Sequence, residues 1–131
     1  MITAVIVDDE RVARKMLRTL LQEHPEVQIV GEAQSVSQAA EVVASTHPDV
    51  VFLDIQMPGG TGFELLSRLQ PGCQVVFVTA YHEFAVKAFD VRALDFLLKP
   101  VDPVRLTQTI ERLTDVLDRS PQTPQSRNLE P

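Results

Sequence analysis

Five times along this chain a short apolar run gives way to a stretch with helical periodicity, and that alternation limits the possible folds more than any other feature. Val5-Ile6-Val7 is continuous and β-branched, as expected of a strand buried on both faces. Val12, Ala13, Met16, Leu17, Leu20 and Leu21 then mark one helical face. Val27 to Ala33 reads as a more polar strand at a sheet edge. Ser35 and Gln38 have capping-box spacing ahead of the stripe Ala39, Ala40, Val43 and Ala44. Val50-Val51-Phe52-Leu53 is a third strand. The turn Pro58-Gly59-Gly60-Thr61-Gly62 leads to a short helix with Phe63, Leu66 and Leu69 inward. Val75-Val76-Phe77-Val78 is a fourth strand, followed by a helix holding Phe84, Ala85, Ala88 and Phe89. Phe96-Leu97-Leu98 is the fifth strand. The last helix opens with Asp102 as N-cap and Pro103 in its first turn, and carries Leu106, Ile110, Leu113 and Leu117.

Strands alternating with helices through short joins require a parallel sheet, helices on both faces and right-handed crossovers. The expectation is an α/β, doubly wound five-stranded parallel sheet. The flavodoxin-like order 2-1-3-4-5 places the polar second strand outside. At 131 residues and 44% hydrophobic the chain suits one domain with a sizeable core. From about Ser120 the periodicity stops, and prolines and polar residues take over. Residues 1–119 are therefore read as the domain, and 120–131 as a linker or tail.

Composition narrows function by exclusion. No apolar stretch approaches the roughly 18 residues that cross a bilayer, and the start lacks a signal peptide's basic and apolar regions. A cytoplasmic protein with no membrane partner is expected. Cys73 is the only cysteine, which rules out an internal disulfide and a multi-cysteine metal site. His24, His47 and His82 have no ligand spacing. The net charge of -6 makes the chain by itself a poor nucleic-acid binder.

The chemistry-bearing residues sit where strands end. The first run ends in Asp8-Asp9, the third in Asp54, the fourth in Thr79 and the fifth in Lys99. All these ends lie on the carboxyl edge of a parallel sheet, where open α/β folds bind ligands. Clustered carboxylates raise one another's pKa unless a cation sits among them. Oxygen ligands of this kind suit magnesium, or manganese, which also binds phosphoryl oxygens. Asp54 is central, Lys99 is a compact positive charge and Thr79 is a hydroxyl donor. An oxygen nucleophile, a metal and donors for equatorial oxygens are the parts of a phosphoryl-transfer site.

These segments carry a family resemblance. Val7-Asp8-Asp9-Glu10, Phe52-Leu53-Asp54-Ile55-Gln56-Met57-Pro58-Gly59, Val78-Thr79-Ala80 and Leu98-Lys99-Pro100 are each weak alone. Together, in order, they make residues 3 to 118 closely resemble bacterial response-regulator receiver domains. The resemblance implies that Asp54 accepts a phosphoryl group from a sensor histidine kinase. It implies that Asp9 and Asp54 ligate the metal directly, Gln56 through its backbone carbonyl and Asp8 through water. Thr79 and Lys99 would hold the phosphoryl group, with Thr79 and Phe96 as a switch pair and Lys99–Pro100 as a cis peptide. Gln56 and Tyr81 would flank the water path and control dephosphorylation.

Thr79 to Phe89 and Ala93 to Val101 resemble receivers of the LytR/AlgR type, which usually precede a LytTR DNA-binding domain. Transcription regulation through such an output domain, absent from these residues, is one expectation. The alternative is a stand-alone receiver working through protein contacts. Homodimerisation on phosphorylation is expected through a surface mixing Val91, Arg92, Asp95 and the last helix. A phosphatase of the haloacid-dehalogenase kind needs a second acid two residues after its nucleophile, and Gln56 stands there. A flavin carrier is disfavoured because three carboxylates would repel its phosphate. The reading is a signalling domain that catalyses only its own phosphorylation and dephosphorylation.

Overall fold

The computed structural model describes residues 1–58 and 60–119. Gly59 and the expected linker at 120–131 lie outside the described residues. In chain order the elements are β1 (Ile2–Val7), α1 (Arg11–Leu21), β2 (Val27–Ala33), α2 (Val36–Thr46), β3 (Val50–Leu53), β4 (Gln56–Met57), β5 (Gly60–Thr61), a 3-10 segment (Gly62–Arg68), β6 (Gln74–Thr79), a 3-10 turn (His82–Phe84), α3 (Ala85–Asp90), β7 (Asp95–Leu98) and α4 (Pro103–Arg119).

Five strands form one parallel sheet in the order β2-β1-β3-β6-β7, and β4 and β5 make a separate small antiparallel pair. The polar strand β2 takes the edge, and the apolar strands β1, β3 and β6 take the centre. Two cores follow from the alternation of side chains across the sheet. One face buries Ile6, Phe52, Val76 and Leu97 against Leu17, Leu21, Leu106 and Ile110 of α1 and α4. The other buries Val7, Leu53 and Phe77 against Ala39 and Val43 of α2, Leu65 of the 3-10 segment and Ala88 of α3.

Helix starts follow their capping residues. Ser35 Oγ accepts from the Gln38 backbone N–H at 3.1 Å, while the Gln38 side chain accepts from the Gln34 N–H at 2.8 Å, one residue before the expected partner. Asp102 accepts from the Arg105 N–H at 3.1 Å and starts α4.

Four expectations need correction. The helix expected after the glycine-rich turn is a 3-10 segment, and Leu65 is its fully buried residue. The apolar stripe of α1 is too wide for the surface it meets. Leu17 and Leu21 are buried, whereas Val12 and Met16, at the stripe's edge, are 70% and 55% exposed and border an apolar cavity of about 630 Å³ beside Pro100 and Val101. Ala44 on α2 faces outward, and so does Phe89 on α3, a helix of only six residues that turns one of them, Ala88, fully into the core. Finally, Asp95 is not a surface residue. It is 9% exposed because Arg105 grips its two oxygens at 2.9 and 2.7 Å and the Thr109 hydroxyl donates to it at 2.7 Å.

Candidate functional site

Asp8 and Asp9 follow β1, and Asp54 follows β3, its pairing neighbour. The Asp54 N–H donates to the Val7 carbonyl at 2.9 Å, which pins the two strand ends together. Behind them, Gly62 donates to the Ile55 carbonyl at 2.8 Å. A Cβ at Gly62 would run into the Asp54 carbonyl oxygen, so only glycine permits this approach. Through these contacts Asp8, Asp9 and Asp54 each place one carboxylate oxygen within 4.8 Å of the others. Asp8 and Asp54 are buried and Asp9 is half-buried.

Lys99, just past β7, reaches this cluster. Its ammonium lies 2.7 Å from Asp8 Oδ2 and 3.0 Å from Asp54 Oδ2, with Glu10 Oε1 at 4.0 Å. The other oxygens have backbone donors: Ile55 N–H to Asp54 Oδ1 at 2.7 Å and Glu10 N–H to Asp8 Oδ1 at 2.9 Å. Burial pushes the Asp8 carboxyl above its ordinary value, and the Lys99 and Glu10 hydrogen bonds only partly offset this. Burial acts to lower the Lys99 pKa, but its bonds to Asp8 and Asp54 outweigh burial and the net shift is upward. Three carboxylates thus share one close ammonium. The shortfall of positive charge, and a donor set made only of oxygen, fit a hard divalent cation.

Thr79 closes β6 and is fully buried. Its carbonyl accepts from the Lys99 N–H at 2.9 Å, and its hydroxyl accepts from the Tyr81 N–H at 3.4 Å. Gln56 is exposed on β4, and Tyr81 is 44% exposed. Phe96, on β7 opposite Phe77, is half-buried against the second core. The Lys99–Pro100 peptide is cis. Asp8 and Asp54 therefore meet Lys99 by direct contact, and Asp9 brings a carboxylate oxygen within 4.8 Å of theirs. Thr79 joins them through the backbone, and Gln56, Tyr81 and Phe96 stand around them.

Sequence reasoning missed four participants. Arg14 Nη1 donates to the Asp8 carbonyl at 2.6 Å. Glu32 on β2 braces that arginine, accepting from its Nε at 3.1 Å. Arg105 and Thr109 hold Asp95 beside Phe96. For Asp95 burial raises the pKa, yet the bonds from Arg105, Thr109 and the Phe96 N–H leave it below the ordinary value. A charged residue inside a strand, such as Glu32, was the one available hint.

Residues 4–111 match the family model described as the response regulator receiver domain. The chain is 47% identical over 133 aligned positions to an uncharacterized response regulatory protein of Vibrio parahaemolyticus, an alignment covering all of this chain and 55% of that protein. It is 47% identical over 115 residues to the transcriptional regulatory protein BtsR of Escherichia coli, covering 86% of this chain and 48% of that one. The chain spans about half the length of these curated relatives. Among solved structures, the response regulatory domain of mrkE from Klebsiella pneumoniae superimposes with a TM-score of 0.82 at 30% identity, covering 90% of this chain and 99% of that domain. The REC domain of AraT from Geobacillus stearothermophilus gives 0.81 at 30% identity, covering 90% and 96%.

Proposed function

This chain belongs to the response regulator receiver domain family, a signalling domain of two-component systems rather than a classical enzyme, and from that premise we propose that Asp54 is its phospho-acceptor in a magnesium-dependent transfer from a sensor histidine kinase. The observation that carries the reading is the meeting of Asp8, Asp9, Asp54 and Lys99 at one sheet edge. An Asp54 carboxylate oxygen attacks phosphorus, an O–P bond forms, and the N–P bond of a phosphohistidine breaks to leave imidazole. Asp9 and Asp54 would hold magnesium or manganese directly, Gln56 through its backbone carbonyl and Asp8 through water. When bound, the cation neutralises charge that builds on the phosphoryl oxygens. Lys99 then holds one of those oxygens, and the Thr79 hydroxyl donates to another.

Residues 1–119 are proposed as the receiver unit and 120–131 as the linker to an output domain. The length of the relatives supports an output half, and the resemblance at Thr79 to Val101 favours a LytTR-type DNA-binding one. Phosphorylation is proposed to pair two receivers through α3, β7 and α4, where Val86 and Phe89 stand 72% and 82% exposed. Asp95 is not part of that surface. Treatment with a small acyl phosphate and magnesium should add one phosphate by intact mass, and Asp54→Asn should add none. Stable labelling of Asp54→Asn at another residue would overturn the assignment.

A further inference from the structure

We infer that Arg14 is a positioning residue for the metal site, acting on the main chain that joins Asp8 to Asp9 rather than on any carboxylate; the inference rests on the metal-site reading above. The Asp8 carbonyl belongs to the planar peptide unit whose nitrogen is that of Asp9. Fixing that plane fixes where the Asp9 Cα, the root of its side chain, sits beside Asp8 and Asp54. Asp8 is held at its N–H by the Ala33 carbonyl at 3.0 Å, which sets one end of the turn. The other end is set by Arg14 Nη1, 2.6 Å from the Asp8 carbonyl oxygen. A bond this short from a guanidinium is charge-assisted, and the Arg14 side chain is only 16% exposed.

The arginine is itself braced. Its Nε donates to Glu32 Oε1 at 3.1 Å, and the other Glu32 oxygen accepts from Arg18 Nε at 2.6 Å. Glu32 lies on β2 opposite Ile6, two residues before Asp8 on the neighbouring strand. Strand β2, helix α1 and the Asp8-Asp9 turn are thereby joined by one half-buried cation. A lysine at this position has a point charge without the planar fork, so it cannot hold both Glu32 and the carbonyl in the same geometry.

The positioning role and a purely electrostatic one have opposite signs. A cation near three carboxylates opposes the binding of another cation, so simple removal of its charge should tighten magnesium binding. Loss of a positioning contact should weaken it, and outer-shell contacts to metal ligands are typically worth about tenfold or more in affinity. The test is a magnesium titration of the full chain at fixed ionic strength, followed by the amide signals of Asp9 and Asp54. It uses the parent, Arg14→Met, Arg14→Lys and Asp9→Ala, with folding checked by circular dichroism.

The expected result is about a tenfold loss in Arg14→Met and a smaller loss in Arg14→Lys. Equal or tighter binding in Arg14→Met overturns the inference while the parent's own binding keeps the site reading intact. If Arg14→Met does not fold, Arg14→Lys decides: weaker binding supports the role and parent-like binding overturns it. If Asp9→Ala binds as the parent does, the ligand assignment fails first, and the positioning role with it.

Discussion

The Lys99 ammonium sits on two of the carboxylates proposed to hold the divalent cation, so its removal should strengthen magnesium binding. Its ammonium touches Asp8 Oδ2 at 2.7 Å and Asp54 Oδ2 at 3.0 Å, with a side chain 21% exposed. Unit charges about 3 Å apart attract by roughly 5 kcal/mol at an effective dielectric near 20, before desolvation is subtracted. Exposed pairs retain about 1 kcal/mol or less of such attraction, whereas removing one partner of a buried pair costs about 3–5 kcal/mol. Lys99 lies between these cases. A net competition of roughly 1.5 kcal/mol corresponds to about a tenfold tighter magnesium affinity in Lys99→Met. The assay is a titration of metal-stripped protein at constant ionic strength, because screening alone shifts weak cation binding. Unchanged or weaker affinity would refute the idea that the ammonium and the metal compete.

The same variant should change how stability depends on pH. A carboxyl whose folded pKa is raised binds protons preferentially in the folded state. Its contribution therefore falls as pH climbs from the unfolded value of about 3.9 through the folded value. Burial puts Asp8 in this class, and Lys99 is the largest opposing influence. Lys99→Met should therefore extend the decline in metal-free stability to higher pH, and saturating magnesium should flatten it. Lys99's own pKa is raised, so its contribution is complete below about 10.4 and is lost only as pH rises through the folded value.

Asp95→Asn should cost about 3 kcal/mol in urea unfolding, since it leaves the Arg105 fork facing an amide. The Asp95 pKa is lowered, so its contribution is present above about 3.9 and is lost as pH falls through the folded value; the deficit should shrink in acid. A cost below about 1 kcal/mol would mean that this ion pair is only a surface feature. Tyr81→Ala should open the approach of water to a phosphorylated Asp54 and speed loss of the phosphoryl group by roughly fivefold, equivalent to about 1 kcal/mol of barrier. A rate at or below the parent's would discard the shielding role.

The sheet was legible because its signals are strong and local. Val50 to Leu53 and Val27 to Ala33 have the same bounds in sequence pattern and structure, and the flavodoxin-like order, which leaves the polar second strand at an edge, is the order observed. The site was legible for a related reason: a parallel sheet sends every strand end to one edge, so a list of the residues after each strand is nearly a list of the site. Where the reading failed, the deciding contact was distant in sequence. Asp95 looks solvated until Arg105 and Thr109 arrive from α4. Arg14 looks like one more charge on a helix until Glu32 and the Asp8 carbonyl fix it. The outward turn of Phe89 depends on where α3 begins, after a 3-10 turn that periodicity does not reveal.

These contacts also indicate which element is free to respond to a phosphoryl group. β7 and α4 are tied by Asp95, Arg105 and Thr109, and Arg112 adds a bond to the Leu94 carbonyl at 3.1 Å. That block should move as one body or not at all. α3 has six residues, buries Ala88 fully and follows directly from Thr79, Tyr81 and a 3-10 turn. Phe84 in the turn before α3 and Lys87 within it meet the same ring: Phe84 stacks tilted against Phe63 at 6.2 Å, and the Lys87 ammonium sits 4.4 Å above it. Few buried contacts and one shared anchor mark a segment of low local stability. A stable phosphoryl mimic with magnesium should therefore shift amide signals and hydrogen exchange in residues 81–94 more than in 103–119. Phe63→Ala should enlarge the exchange of α3 even without the mimic, because Lys87 loses the ring beneath it and Phe84 keeps only Tyr81 of its aromatic partners. If α4 responds as strongly as α3, the block is not rigid and the Asp95 network does not serve as the fixed side of the switch.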